Sequence, residues 1–311
     1  MRDEQQPGWA TQADPDNQAG TGPFPAGAAV SIASPKRQTV PVVFASPHSG
    51  REYPEEFLAQ SRLDSLMLRR SEDAFVDDLF SQVPEMGAPL ISARFPRVYV
   101  DANREANELD QAMFDDALPT GANTRSPRVA VGLGTIARIV SDGQEIYAGR
   151  LRYAEARNRI EQCYVPYHRA LRGLVENTLQ RFGTCLLVDC HSMPSPNGLG
   201  QRSAGVSSAE LVLGDCWGSS CDPAVTNRVE RAALEQGFSV QRNSPYAGGF
   251  TTRHYGRPSM ALHAIQLEID RSLYLDEVNL TRLSAFDDVR RRLSAVARAM
   301  TDMGWERLAA E

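Results

Sequence analysis

Two histidines directly follow short apolar segments of the sequence. Residues 40–46 read VPVVFAS and precede His48, and residues 184–190 read TCLLVDC and precede His191. Short apolar runs rich in β-branched residues predict buried strands. In open α/β sheets, ligands bind beyond the carboxyl ends of the strands. We therefore expect both imidazoles to lie at the same edge of one sheet.

A carboxylate completes a possible ligand set. Glu72 and Asp73 open a predicted helix soon after the His48 loop. Two imidazoles and one carboxylate, with one position left for water, are the ligands of a catalytic zinc ion. The chain has no HExxH or CxxC motif, and a histidine after a strand can also cap a turn. Spacing alone therefore leaves the metal site and the turn cap open as alternatives.

Glu268 lies in a third strand-like segment, residues 261–269. Strand alternation places Gln266, Glu268 and Asp270 on one face, opposite Ile265, Leu267 and Ile269. The polar face either meets solvent or lines a polar site. In the second case the Glu268 carboxylate, next to activated water, would be the natural general base.

Basic residues are concentrated in two further segments. Arg97, Asn103 and Arg104 belong to RVYVDANR, and Arg253 belongs to GGFTTRHYG. Arginine grips carboxylates in a bidentate geometry, although a surface ion pair is the alternative for each arginine. We expect His168, which lies within a helical pattern, to be structural.

The surrounding pattern alternates strands with helices. Further strands are predicted at residues 88–93, 98–101, 210–214 and 238–241. Helices are predicted at residues 73–83, 150–181 (interrupted or bent near Pro166) and 223–236, and one or two helices at residues 276–303. This alternation predicts an α/β fold in which a mostly parallel or mixed central sheet is flanked by helices. Residues 109–146 are irregular and rich in Gly, Asp and Pro.

Composition excludes several classes of partner. The 311 residues include 33 Lys and Arg against 39 Asp and Glu, a formal net charge of −6. Nucleic acid or an anionic membrane would need a cationic footprint, and no segment approaches the roughly 20 apolar residues of a membrane span. Five cysteines without a CxxC pair favour reduced thiols and a cytoplasmic location. Composition does not indicate the oligomeric state.

The first 37 residues differ from the rest. They contain five prolines and no periodic apolar pattern, which predicts a disordered N-terminal tail. Residues 38–311 are expected to form a single domain.

Taken in order, the motifs resemble one enzyme family. SPHSG at 46–50, RVYVDANR at 97–104, DCHS at 189–192, GGFTTRHYGRP at 248–258 and QLE at 266–268 are together similar to the N-formylglutamate amidohydrolase family, with coverage from about residue 40 to residue 292. The family usually reads DLNR where this chain has DANR at 101–104. Residues 107–138 match poorly, so the resemblance leaves the substrate open.

The resemblance implies a zinc-carboxypeptidase-like fold with one divalent metal ion, expected to be Zn²⁺. The implied reaction hydrolyses the formamide of N-formyl-L-glutamate to formate and L-glutamate, the last step of one histidine-degradation route. By position, the implied metal ligands are His48, Asp73 and His191, with Asp73 preferred to Glu72. Glu268 is implied as general base of a zinc-activated water. The implied groups for the oxyanion and the substrate carboxylates are Arg253, Asn103, Arg104 and Arg97.

Two alternatives stay open beside this interpretation. The chain could hydrolyse another dianionic N-acyl amino acid, or it could be a non-catalytic metal- or carboxylate-binding protein of the same fold.

Overall fold

A computed structural model of the chain describes residues 23–24, 27–195 and 209–305. The strands are β1 (Val30–Ala33), β2 (Val42–Ser46), β3 (Leu90–Ala93), β4 (Cys185–Met193), β5 (Leu211–Gly214), β6 (Val240–Arg242), β7 (Leu262–Asp270), β8 (Leu275–Asp276) and β9 (Thr281–Arg282). The α-helices are α1 (Glu55–Gln60), α2 (Ser65–Arg69), α3 (Val76–Leu79), α4 (Pro127–Ala130), α5 (Tyr153–Arg159), α6 (Val165–Phe182), α7 (Pro223–Glu235), α8 (Phe250–Tyr255) and α9 (Phe286–Thr301). Short 3₁₀ helices occupy Val83–Met86, Gln111–Met113, Pro258–Met260 and Arg271–Leu273. Within the described ranges, no helix is long and apolar enough to cross a membrane.

Seven strands form one mixed sheet in the order β1-β3-β2-β4-β7-β5-β6. The inner strands β3, β2, β4 and β7 are parallel, whereas β1 pairs antiparallel with β3 and β5 pairs antiparallel with β7. The carboxyl ends of β2, β4 and β7 therefore meet at one edge. The predicted mixed central sheet flanked by helices is confirmed.

The two faces of the sheet pack against different helices. On the first face, alternate residues of β2, β4 and β7 form a buried apolar cluster with α3, α7 and α9. On the second face, the remaining residues of these strands pack against α1, α5, α6 and α8. Because β4 and β7 are long, their second face extends past this core, and there its side chains turn polar.

The second face also contains an irregularity in its longest helical segment. A π-helical turn, Ile160–Tyr164, joins α5 to α6, and the N–H of Val165 donates to the carbonyl of Ile160. Pro166 follows at once and has no N–H to donate. The interruption predicted near Pro166 is thus confirmed.

The predicted tail is too long at its C-terminal end. Residues 30–33 form β1, which pairs in register with β3 from Val30–Ala93 to Ala33–Leu90. Phe24 is 6% exposed and contacts the rings of Phe95 and Tyr99. A four-residue edge strand whose side chains are mostly exposed has no apolar pattern that stands out from a Pro- and Gly-rich context. The predicted disorder of residues 1–22 lies outside the described residues.

Two predicted elements near the site differ from the structure. Residues 98–101 form a turn instead of a strand, because the N–H groups of Tyr99 and Val100 both donate to the Pro96 carbonyl. The apolar run reflects burial in the second-face core, not pairing in a sheet. The helix expected over residues 73–83 is only α3, because Phe75 takes a left-handed φ of 63° and the helix begins after it.

A candidate metal centre and active site

His48, Asp73 and His191 lie together at the carboxyl edge of the sheet. Each offers one ligand atom, these atoms lie within 4.8 Å of one another, and all three residues are buried. The Asp73 Oδ2 atom is 2.9 Å from His191 Nδ1 and 3.4 Å from His48 Nδ1. The structure thus brings together the three residues that the resemblance implied as metal ligands.

Three separate elements deliver these side chains. His48 lies in the loop after β2, His191 lies within β4, and Asp73 lies in the turn before α3. The Asp73 N–H donates to the His48 carbonyl at 3.0 Å, so the two loops are tied through their backbones. β2 and β4 pair in register from Val42–Leu186 to Ala45–Asp189. Adjacent parallel strands therefore set the separation of the two histidines.

A second carboxylate orients each imidazole. Nε2 of His48 is 2.7 Å from Asp101 Oδ1, and Nε2 of His191 is 3.0 Å from Asp189 Oδ2. Because a carboxylate accepts, each Nε2 carries a proton, and in the neutral form of either ring, the form that binds a metal ion, the lone pair is on Nδ1, on the side of Asp73. His48 Nδ1 is buried and has no hydrogen-bond partner among the described residues. Histidine ligands of metals have such carboxylate partners, so this donor set fits a divalent cation.

Asp73 is held on its other side by arginine. Arg271 Nη2 donates to Asp73 Oδ1 at 3.0 Å, and Arg97 Nη1 lies 3.8 Å from the same oxygen. Burial by itself would raise the pKa of Asp73, but its contacts with His191 and His48 and the positive charge of Arg97 hold it well below its usual value. Asp73 is therefore an anion with one oxygen, Oδ2, directed to both imidazoles.

The neighbouring Glu72 points elsewhere. Its carboxylate accepts hydrogen bonds from Tyr53 Oη at 2.8 Å and from Arg69 Nε at 3.1 Å. The Glu72 carboxylate is therefore bonded to Tyr53 and Arg69 and not to the two histidines. Of the two carboxylates that the sequence left open, it is Asp73 that lies with His48 and His191.

Glu268 lies beside His191 on the adjacent strand. Residues 191 and 268 are register partners between β4 and β7, so their side chains leave the same face of the sheet. Glu268 is only 7% exposed, which excludes the solvent-facing alternative for this strand. Gln266 Nε2 donates to Glu268 Oε1 at 2.6 Å. Burial raises the pKa of Glu268 to about 7, although the positive charge of His191 opposes the shift.

Asn103 connects His191 to α8. Its Nδ2 donates to Asp189 Oδ2 at 3.2 Å and lies 3.0 Å from His191 Nε2, while its Oδ1 accepts from the Thr251 N–H at 2.8 Å. A Cβ atom at Gly249 would lie 2.4 Å from this amide, so only glycine allows the close approach. Both ends of the Asn103 amide are thus engaged within the protein.

Arg97 and Arg104 surround Asp101. Arg97 Nη2 donates to Asp101 Oδ2 at 2.9 Å, and Arg104 Nη2 is 3.7 Å from the same oxygen. Burial raises the pKa of Asp101, but Arg104, His48 and Arg97 lower it well below its usual value. The Arg97 side chain is 23% exposed and that of Arg104 is 11% exposed. Both guanidinium groups therefore lie at the border between the buried carboxylates and the outside.

Arg253 lies further out. It is an exposed residue of α8, and its Nη1 donates to the Gly248 carbonyl at 3.2 Å. None of its described hydrogen bonds reaches the three candidate ligands. Its assignment to the oxyanion stays a prediction.

Sequence reasoning missed several groups of this site. Arg271, Asp101 and Asp189 hold Asp73 and the two histidines, and Tyr246 is near enough to Glu268 for that carboxylate to raise the pKa of its hydroxyl, in addition to burial. One signal was available, because Asp101 and Asp189 end the same short segments that supply Asn103 and His191. Arg271 follows the β7 strand directly and could have been found by the same criterion.

The fold and the site together define a hydrolase of amide C–N bonds. The chain belongs to the N-formylglutamate amidohydrolase family, whose sequence profile matches residues 40–275, well over half of the chain.

Individual relatives agree with this assignment. An N-formylglutamate deformylase of Pseudomonas aeruginosa is 31% identical over 251 residues, covering 79% of this chain and 86% of that protein. One from Pseudomonas putida is 28% identical over 243 residues, covering 76% of this chain and 83% of that protein. The crystal structure of an N-formylglutamate amidohydrolase from Ralstonia eutropha JMP134 is similar with a TM-score of 0.82 and 35% identity, covering 88% of this chain and 98% of that one.

Proposed function

We propose that this enzyme hydrolyses N-formyl-L-glutamate to formate and L-glutamate, the reaction that closes one route of histidine degradation. The observation that carries the proposal is the buried group of His48, Asp73 and His191 with Glu268 beside it. Membership in the N-formylglutamate amidohydrolase family supports the substrate.

His48 Nδ1, Asp73 Oδ2 and His191 Nδ1 would hold one divalent cation, and Zn²⁺ suits two imidazoles and a carboxylate best. Such an ion supplies Lewis acidity and lowers the pKa of water to roughly 7. Asp101 and Asp189 accept the Nε2 protons and so keep both Nδ1 lone pairs available.

Glu268 is proposed as the general base. It is a buried carboxylate on the same face as His191, and burial raises its pKa to about 7. A base with a pKa near the working pH is a good proton acceptor and can return the proton to the leaving amine. The Gln266 amide holds Oε1, which leaves Oε2 to take the proton of an attacking water.

Arg97 and Arg104 are proposed to receive the carboxylates of the substrate. Both are partly exposed while they neutralise Asp101. A dianionic substrate would add negative charge beside Asp73, Asp101 and Glu268, so guanidinium groups at this border are needed to balance it. Arg253, further out on α8, stays a proposed partner of the developing oxyanion.

The test is an assay of formate release from N-formyl-L-glutamate by the purified protein. We expect one zinc per chain by elemental analysis, loss of turnover after complete chelation, and recovery on adding Zn²⁺. Full turnover by protein shown to be free of metal would contradict the metal site.

Related substrates separate this proposal from hydrolysis of another N-acyl amino acid. N-formyl-L-aspartate shortens the side chain, and N-acetyl-L-glutamate enlarges the acyl group. We expect kcat/KM to be highest for N-formyl-L-glutamate. A higher kcat/KM for either analogue would assign the site to that substrate instead.

A further inference from the structure

His168 is a buried histidine outside the candidate metal centre. It lies on α6, with its Nε2 2.8 Å from the Ala102 carbonyl oxygen and its Nδ1 3.0 Å from the Tyr255 hydroxyl. A carbonyl oxygen can only accept, so Nε2 carries the proton. Nδ1 of the neutral ring then accepts from the Tyr255 hydroxyl. The imidazole thus joins three segments through two directed hydrogen bonds.

Both partners of His168 belong to elements that build the active site. Ala102 lies between Asp101, which orients His48, and Asn103, which contacts His191 and Asp189. Tyr255 ends α8, and the Thr251 N–H of the same helix donates to Asn103. His168 therefore connects the segment that holds both imidazoles to the helix that holds Asn103.

The surroundings of His168 keep its ring fixed and neutral. Its ring centroid is 4.3 Å from that of Tyr164 and 5.5 Å from that of Phe250. Tyr164, the last residue of the π-helical turn before α6, also donates from its hydroxyl to the Arg104 carbonyl at 2.9 Å, so the turn and α6 each contact the 101–104 segment once. Burial lowers the pKa of His168 to about 3. A protonated ring could not accept from Tyr255, so the neutral form matches both hydrogen bonds.

We propose that His168 is a positioning residue, which fixes the 101–104 segment against α8 and thereby orients His48 and His191 for their ligand. The proposal rests on the metal site proposed above. It differs from a packing role, in which any side chain of similar size would serve equally well.

A matched pair of amide variants separates the two roles. In His168→Gln the side-chain amide reaches the position of Nε2 and can still donate to Ala102. In His168→Asn the amide reaches only the position of Nδ1, and the Ala102 carbonyl loses its donor. Leu171→Ala, at the next buried position of α6, controls for loss of stability because Leu171 packs in the core of the second face.

Three quantities are measured for each variant: zinc affinity by chelator competition, kcat and KM for N-formyl-L-glutamate, and Tm. Loss of a partner beyond the ligands of a metal typically costs 10–100-fold in metal affinity or activity, so we expect about a tenfold loss of zinc affinity and kcat in His168→Asn. His168→Gln should stay close to wild type, and Leu171→Ala should lower Tm while leaving kcat and zinc affinity unchanged.

Equal kcat and zinc affinity in the Gln and Asn variants would overturn the proposal, as would a loss in Leu171→Ala that matches His168→Asn. If His168→Asn does not fold, Tyr255→Phe removes only the hydroxyl that faces Nδ1 and should lower kcat without a change in KM; an unchanged kcat would count against the proposal. Wild-type turnover without metal would contradict the proposed metal site. The comparison of kcat between His168→Gln and His168→Asn would still test the role of His168 in that case.

Discussion

The two faces of β4 and β7 differ sharply although they belong to the same strands. On the first face Leu186, Val188 and Cys190 continue into Ile265, Leu267 and Ile269 as an unbroken apolar cluster. On the second face the amino-terminal parts of the strands are apolar; Asp189, His191, Gln266, Glu268 and Asp270 follow, and Met193 is the last residue of β4. All of these residues are buried.

The chain therefore separates stability from chemistry between the two faces of these strands. The first face gains the free energy of apolar burial at most of its positions. The second face carries ionisable groups whose burial costs free energy unless each is paired. Asp189, Asp101 and Arg271 supply those partners. We expect substitutions on the first face to act on unfolding, and those on the second face to act on turnover or metal binding.

The largest effect is expected for Glu268→Gln, on the second face. The amide cannot accept a proton, so kcat should fall by about 10²–10⁴-fold, the usual contribution of a general base. The zinc content should be unchanged because Glu268 is not a proposed ligand. Steady-state kinetics with elemental analysis measures both. Undiminished turnover would remove Glu268 from the role of base.

Leu267→Ala tests the first face at the adjacent residue. Leu267 is fully buried, and truncation of such a leucine costs about 2–5 kcal/mol of the free energy of unfolding. Denaturant titration measures this loss. At a temperature where the variant is folded, kcat should be that of wild type. A kcat loss comparable to that of Glu268→Gln would mean that the two faces are not separable.

Asp101→Asn removes the charge that orients His48. Zinc affinity should fall by about 10–100-fold, as for other carboxylate partners of metal-bound histidines. Asp215→Asn is the matched control, since Asp215 is also buried but is hydrogen-bonded to Thr226 and Asn243 instead. Chelator competition compares the two variants. Equal losses of affinity would show that buried charge in general, and not the contact with His48, matters.

Gln266→Met is expected to give the smallest effect. The Gln266 amide stabilises the charged form of Glu268, and its removal raises the pKa of that carboxyl. A hydrogen bond to a charged group is worth roughly 1.5–3 kcal/mol, so the acid limb of kcat/KM should move up by about one to two pH units. The base works as a carboxylate, and activity is therefore lost as the pH falls through this limb. A shift of the acid limb to lower pH would contradict the proposal that Gln266 stabilises the charged form of Glu268.

The parts of the site that lie at strand ends could be predicted from the sequence. His48, His191 and Glu268 each follow or end a strand whose apolar pattern is clear, and parallel pairing then brings them together. The sequence could not decide whether the Glu268 side chain faces solvent or lines a polar site, since strand alternation fits both equally well.

Groups that lie in irregular segments could not be placed from the sequence. Residues 98–101 look like a strand because all of their apolar side chains are buried, and only the turn at Pro96 shows how Asp101 reaches His48. β1 was hidden for the opposite reason. Its four residues have mostly exposed side chains, and it is held by backbone pairing with β3. Backbone pairing leaves no periodic pattern of apolar residues in the sequence.

The π-helical turn at Ile160–Tyr164 has a consequence for changes of chain length. Each residue of an α-helix turns the helix by about 100°, so deleting one residue from this turn would rotate α6 relative to α5 by that angle. Tyr164 and His168, which reach the Arg104 and Ala102 carbonyls from successive turns, would then point away from them. Substitutions within the turn leave the rotation of α6 relative to α5 unchanged, whereas a single insertion or deletion changes it. The number of residues in the π-helical turn therefore sets the direction of the His168 imidazole.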